Sequence, residues 1–141
     1  MAIILLISEG FPITSTFMLS TKDAANLKEV DVNYLGSEIR NFKDYQEDGI
    51  NVNFVEIVEK KIFIRTYERG VENETLSCGT GVVASVLAAN EHGFHLTSSV
   101  EVKTLGGNLN VSWLKKNEQY NSIILSGPVS LVFCGELSYE N

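Results

Sequence analysis

Cysteine is scarce in this 141-residue chain: Cys78 and Cys134 are the only two, and no C-x-x-C spacing accompanies them. Neither a disulfide framework nor a thiolate zinc site is indicated. Histidine is equally sparse. His92 and His95 would share a helix face as metal ligands only in an unbroken helix, but a helix running into them should end at Gly93, so both are expected as loop residues and no metal is assigned. Basic residues are in deficit, 11 against 18 acidic, for a net charge of −7. That balance argues against a nucleic-acid or anionic-membrane partner. Long apolar runs are missing too: Ala2 to Ile7 is too short to span a bilayer and lacks the basic flank and cleavage site of an export signal. It is expected as a buried strand. Unpaired thiols without an export signal point to the cytoplasm. There is no internal repeat or low-complexity linker, and a 44% hydrophobic content over this length suits one domain spanning residues 1–141.

What the chain does have is C-G-T-G at Cys78 to Gly81, at the entrance of the apolar stretch Val82 to Ala89. The first N–H groups of a helix have no internal partner, and the helix dipole adds positive potential there, so an anion is stabilised at that end. The same field favours a thiolate. A carboxylate seated on the amides of Gly79, Thr80 and Gly81 would hold its α-carbon against the Cys78 sulfur, combining orientation, charge stabilisation and proton transfer. Alone, the tetrapeptide fits a buried cysteine at a glycine-rich turn slightly better. Just upstream, Arg65 to Gly70 ends an alternating stretch with the adjacent opposite charges Glu68 and Arg69, placed to recognise a ligand.

Period-two or β-rich stretches recur at Ala2 to Ile7, Thr14 to Leu19, Asn51 to Val58, Ile62 to Tyr67, Ser99 to Thr104, Asn108 to Trp113, Ser122 to Leu125 and Ser130 to Phe133. Asp31 is placed to cap a short helix through Arg40 with Val32, Leu35 and Ile39 on one face, ahead of a polar loop from Asn41 to Gly49. A second helix, Thr80 to Glu91, has almost no polar face and so must be buried, with Gly93 closing it. The expected class is α+β: a curved, mixed or antiparallel sheet wrapped around this central helix.

These motifs resemble those of diaminopimelate epimerase, a cofactor-independent amino-acid epimerase of lysine biosynthesis. The matching text is N-V-N-F-V-E-I at Asn51 to Ile57, Y-E-R-G-V at Tyr67 to Val71 and E-T-L-S-C-G-T-G at Glu74 to Gly81. Gly106-Gly107 before the strand to Trp113, and Gly127-Pro128 before Val132 to Gly135, extend it across roughly residues 30 to 136. The resemblance implies a barrel-like sheet around a central helix and covers only the C-terminal half of that family, whose two domains each contribute one cysteine and close on the substrate. The N-terminal half is absent from the sequence.

In the family one thiolate removes the α-proton and the other thiol returns a proton to the opposite face, interconverting LL- and meso-diaminopimelate. Carried over by position, Cys78 is one of that pair. Gly79 and Thr80 supply amides to the substrate carboxylate, Glu68 and Arg69 bind substrate and assist acid/base transfer, and Asn51 binds substrate. Read without the family, Asn51 also fits turn chemistry after Gly49, and Glu68 with Arg69 a surface ion pair. Many enzymes recruit pyridoxal phosphate for this proton abstraction; no lysine-centred site for it stands out, and no cofactor is expected.

Two departures accompany the match. Cys134 does not correspond to the partner cysteine and is expected as an inert core thiol after the strand Ser130 to Phe133. Where the family has Gly-Asn-Pro-His near the domain start, this chain has Gly10-Phe11-Pro12-Ile13, and neither Phe11 nor Ile13 can relay a proton. The alternatives are a homodimer placing Cys78 opposite its symmetry mate, another racemase or isomerase of the same superfamily, and a non-catalytic carboxylate-binding module.

Overall fold

The third strand, Asn51–Val58, organises the fold because its first five residues are buried on both faces. Successive side chains of a strand point to opposite sides. Val55 joins a core with Ile62, Ile64, Val82, Val86, Val102 and Trp113. Val52 and Phe54 join a second, with Leu27, Val32, Ile50 and Tyr67. One strand thus divides two apolar layers.

A computed structural model of the chain describes residues 2–6, 16–20, 27–45, 47, 49–94, 96–117 and 119–139, the first two stretches as backbone only. The strands are β1 (Ala2–Leu6), β2 (Thr16–Ser20), β3 (Asn51–Val58), β4 (Lys61–Glu68), β5 (Asn73–Thr75), β6 (Ser99–Thr104), β7 (Gly107–Lys116) and β8 (Gln119–Ser126). They form one mixed sheet in the order β1-β2-β3-β4-β6-β7-β8, with β5 paired to β4. The β2–β3 and β4–β6 pairs are parallel and the rest antiparallel. Among the described residues the sheet stays open, with β1 and β8 at its ends. β3 and β4 are joined by the two-residue turn Glu59-Lys60, both with positive φ, the conformation that suits the twist of a tight hairpin.

Helix α1 (Val32–Arg40) begins where expected, with the Asp31 side chain accepting from the Tyr34 N–H at 3.0 Å. Its packing face differs from the expected one. Leu35 is exposed, whereas Val32 and Gly36 are buried. A Cβ at Gly36 would lie 2.4 Å from Tyr67 Cβ, so the bare backbone lets α1 sit directly on the Tyr67 ring.

Helix α2 (Gly79–Ala89) buries Gly81, Val82, Ser85, Val86, Ala88 and Ala89, and Gly93 follows it at φ +85°. Val83, Ala84 and Leu87 keep partial exposure, so one flank of this largely apolar helix remains open. Beyond its end, Glu91 accepts hydrogen bonds from Lys115 at 2.8 Å and from Tyr120, whose hydroxyl also accepts from Asn90. These two bonds, Lys115 first, hold the Glu91 carboxyl below its ordinary range. The resulting stabilisation is present above the ordinary carboxylate range and is lost as pH falls through the lowered folded value. Glu91 is largely solvated, so the effect is expected to stay under about 1 kcal/mol. Acid titration of the unfolding midpoint should show a shallower slope for Glu91→Gln than for the parent.

Two expectations near the chain end fail. Ser130 to Phe133 forms no strand, and residues 127–139 run exposed past β8. Cys134 is correspondingly an exposed thiol rather than a core one. A strand needs a neighbour to satisfy its backbone, and among the described residues none pairs with this segment. Gly10 to Ile13 and His95 lie outside the described residues; His92 sits in the kinked turn after α2.

Candidate active site

Odd-numbered residues at the start of β3 face α2, and this places Asn51 under the helix entrance. Asn51 Nδ2 donates to Cys78 Sγ at 3.7 Å, and its Oδ1 accepts from the Arg69 backbone N–H at 2.9 Å. One carboxamide therefore links the thiol to the end of β4. Asn51 and Cys78 are both buried. Cys78 is the N-cap of α2 in extended conformation (φ −119°, ψ 106°), and its side chain makes no capping bond. The sulfur is thus left to Asn51 and to Thr80, whose Oγ1 lies 3.4 Å away.

The first intrahelical bond runs from Val82 N–H to the Cys78 carbonyl at 2.9 Å. The N–H groups of Gly79, Thr80 and Gly81 precede it and have no intrahelical acceptor. These three residues are the ones that C-G-T-G marks as a candidate anion cradle. Its wall is close: a Cβ at Gly79 would sit 3.1 Å from Leu125 Cδ2 of β8. Exposed Leu76 and Leu125 give the surroundings an apolar rim.

Glu68 ends β4 two residues after inward-facing Thr66, so alternation puts it on the α2 side. Its carbonyl accepts from the Val71 and Glu72 N–H groups at 3.2 and 2.8 Å, forming a turn in which Gly70 and Glu72 have positive φ. Arg69 contributes its backbone to Asn51, and its side chain passes beside Gly49, where a Cβ would meet Arg69 Cδ at 2.9 Å.

Of the residues singled out from sequence, the structure therefore joins Asn51, Cys78 and Thr80 by side-chain contacts and Arg69 through its backbone. Gly79 lies in the cradle, and Glu68 shares the face without a side-chain contact to the thiol. Sequence reasoning missed Glu72, which fastens this turn. Its carboxylate accepts from the Gly70 N–H at 3.0 Å and the Tyr67 hydroxyl at 3.4 Å, and pairs with Arg40 at 3.5 Å. An acid two residues after a turn glycine was the available signal.

A family model described as diaminopimelate epimerase matches residues 17–132. Curated relatives named diaminopimelate epimerase include one from Flavobacterium psychrophilum, 42% identical over 111 residues, covering 78% of this chain and 43% of that protein. Another, from Chlorobaculum tepidum, is 44% identical over 115 residues, covering 80% and 44%. The chain spans less than half the length of these relatives. Among solved structures, a phenazine biosynthesis protein of the PhzF family from Enterococcus faecalis superimposes with a TM-score of 0.58 at 14% identity, over 84% of this chain and 40% of that one. The Bacillus anthracis PhzF-family protein gives 0.53 at 20% identity, over 74% and 31%. These two likenesses establish the fold.

Proposed function

The chain belongs to the diaminopimelate epimerase family, and from that membership we propose that it is the C-terminal half of an epimerase, carrying one of two acid/base cysteines. It would interconvert LL- and meso-diaminopimelate without a cofactor, in the cytoplasm, for lysine and peptidoglycan precursor synthesis. The observation that carries this is Cys78 at the N-cap of α2, its sulfur held by Asn51 and Thr80 beside the free amides.

In this account the substrate α-carboxylate sits on the Gly79 and Thr80 amides, where the helix dipole offsets its charge. Binding there holds the α-carbon at the sulfur, and Cys78 takes or returns the α-proton on one face. Asn51 donates to the sulfur and holds it at the helix entrance. Glu68, on the same face, assists proton transfer, and Arg69 with Asn51 binds the substrate. The opposite face needs a second thiol. Cys134 is separated from this cluster in sequence and lies in the exposed tail, so the second thiol is assigned to a partner domain.

The surface supports a missing partner. Val129 is 98% exposed and Phe133 82%, with Leu131, Val132 and Leu137 similarly bare, and Ile123 and Ile124 of β8 are exposed as well. So many exposed large apolar side chains are consistent with a surface that a partner covers. The matched share of the relatives, 43% and 44%, leaves room for a complementary half of comparable size. That length relation favours a complementary half over a second copy of this chain.

The cradle can be tested on the chain alone. Meso-diaminopimelate is expected to slow alkylation of Cys78 by iodoacetamide in a Cys134→Ser background, while the diamine lacking both carboxylates gives no protection. Equal protection by the diamine, or none by either compound, would refute carboxylate binding at α2.

A further inference from the structure

We propose that Asn53 is a positioning residue for Cys78, seating the first turns of α2 through buried contacts with Thr66 and Gly81. Asn53 lies two residues beyond Asn51 on the same face of β3 and is fully buried. Its Oδ1 accepts from the hydroxyl of Thr66, its cross-strand neighbour on β4, at 2.7 Å. Gly81 rests on that carboxamide: a Cβ there would lie 2.4 Å from Asn53 Oδ1 and 3.2 Å from Nδ2. No side chain larger than hydrogen fits at this contact.

The spacing matches along both elements. Asn51 and Asn53 are roughly 7 Å apart on the strand, and they meet Cys78 and Gly81, which stand about one helical turn apart. The strand thus holds the helix entrance at two points. One is the thiol itself and the other is the backbone just inside the cradle.

Asn53 Nδ2 and Ser85 Oγ are both buried without a hydrogen-bond partner among the described residues. Ser85 is one turn beyond Gly81 on the same buried side of α2. Buried orphan polar groups are costly, and apolar residues at 53 and 85 would avoid that cost. A polar seat in the middle of an apolar contact fixes where the helix rests, because only one register lets the carboxamide meet both Thr66 and the bare Gly81 backbone. Displacing that seat moves Cys78 relative to Asn51.

This inference takes from the proposed function only that Cys78 is the reactive thiol, and its test needs no diaminopimelate, so the two can fail separately. In a Cys134→Ser background, the alkylation rate of Cys78 by iodoacetamide is measured for Asn53→Leu, Thr66→Val and Thr66→Ser, alongside thermal unfolding. Asn53→Leu and Thr66→Val are expected to change the rate about three- to tenfold, the factor to which one hydrogen bond's net contribution corresponds. Thr66→Ser, which keeps the hydroxyl, should retain the parental rate. Should Asn53→Leu not fold by circular dichroism, the Thr66 pair decides. Lower melting temperatures with unchanged alkylation rates, or a Thr66→Ser rate shifted as far as that of Thr66→Val, would overturn the positioning role.

Discussion

Cys78→Ser is expected to lower solvent-deuterium incorporation at the α-carbon of diaminopimelate by about 10²- to 10⁴-fold in the proposed two-half enzyme, the range that a positioned acid/base group contributes. A serine hydroxyl holds its proton at neutral pH and cannot act as the base that a thiolate is. The substitution is otherwise small. Asn51 still has an oxygen to donate to, and the Gly79 and Thr80 amides are untouched, so substrate affinity should be kept while turnover is lost. That division separates a group acting on the proton from one acting in binding. Calorimetric affinity and isotope exchange measured on the same preparation check it; loss of both together would place Cys78 in the binding cradle only.

Arg65→Met should produce the largest loss of stability. Arg65 forms a two-pronged ion pair with Glu74, Nε to Oε1 at 2.6 Å and Nη2 to Oε2 at 2.8 Å. Its Nη1 also donates to the Leu27 and Val30 carbonyls, each at 2.8 Å. One guanidinium thereby fastens β4, β5 and the turn leading into α1. The pair is mostly withdrawn from water, with side-chain exposures of 19% and 15%, and the bond to Glu74 raises the already high arginine pKa further. Removing one partner leaves a carboxylate and two carbonyls poorly compensated, at about 3 kcal/mol. Urea unfolding of the single variant should show that loss, and Arg65→Met with Glu74→Leu should recover much of it. Arg65 faces α1, away from Cys78, so exchange per folded molecule should not change. An unfolding midpoint unmoved by Arg65→Met would show that the contact is only a surface pair.

The helix entrance was legible because a few local rules converge there: glycines that admit an anion, a thiol at the cap position and an apolar run that must be buried. Alternation along β3 was equally readable, and it accounts for Asn51 under Cys78. Gly36 was not readable, since apolar periodicity selects Leu35 for the packed face. The close approach of α1 to Tyr67 instead depends on a side chain that is absent. β5 escaped because three residues, Asn73–Thr75, carry too little pattern. Ser130 to Phe133 shows the opposite failure. Its pattern suits a strand, but a strand pattern specifies a need for a neighbour without supplying one. Cys134 was misplaced for the same reason. Among the site residues, Glu72 was obscure because its role comes from a turn that brings Tyr67, Gly70 and Arg40 together, whereas Asn51 and Cys78 are marked by their own local motifs.

The proposal that this chain holds half of an epimerase site has a direct test. That test is α-carbon deuterium incorporation into LL- and meso-diaminopimelate, first with the 141-residue chain alone and then with a separately prepared N-terminal half added. No exchange is expected from the chain alone, and exchange is expected on mixing that disappears with Cys78→Ser. Exchange by the chain alone, or none from the mixture once complex formation is verified, would contradict it.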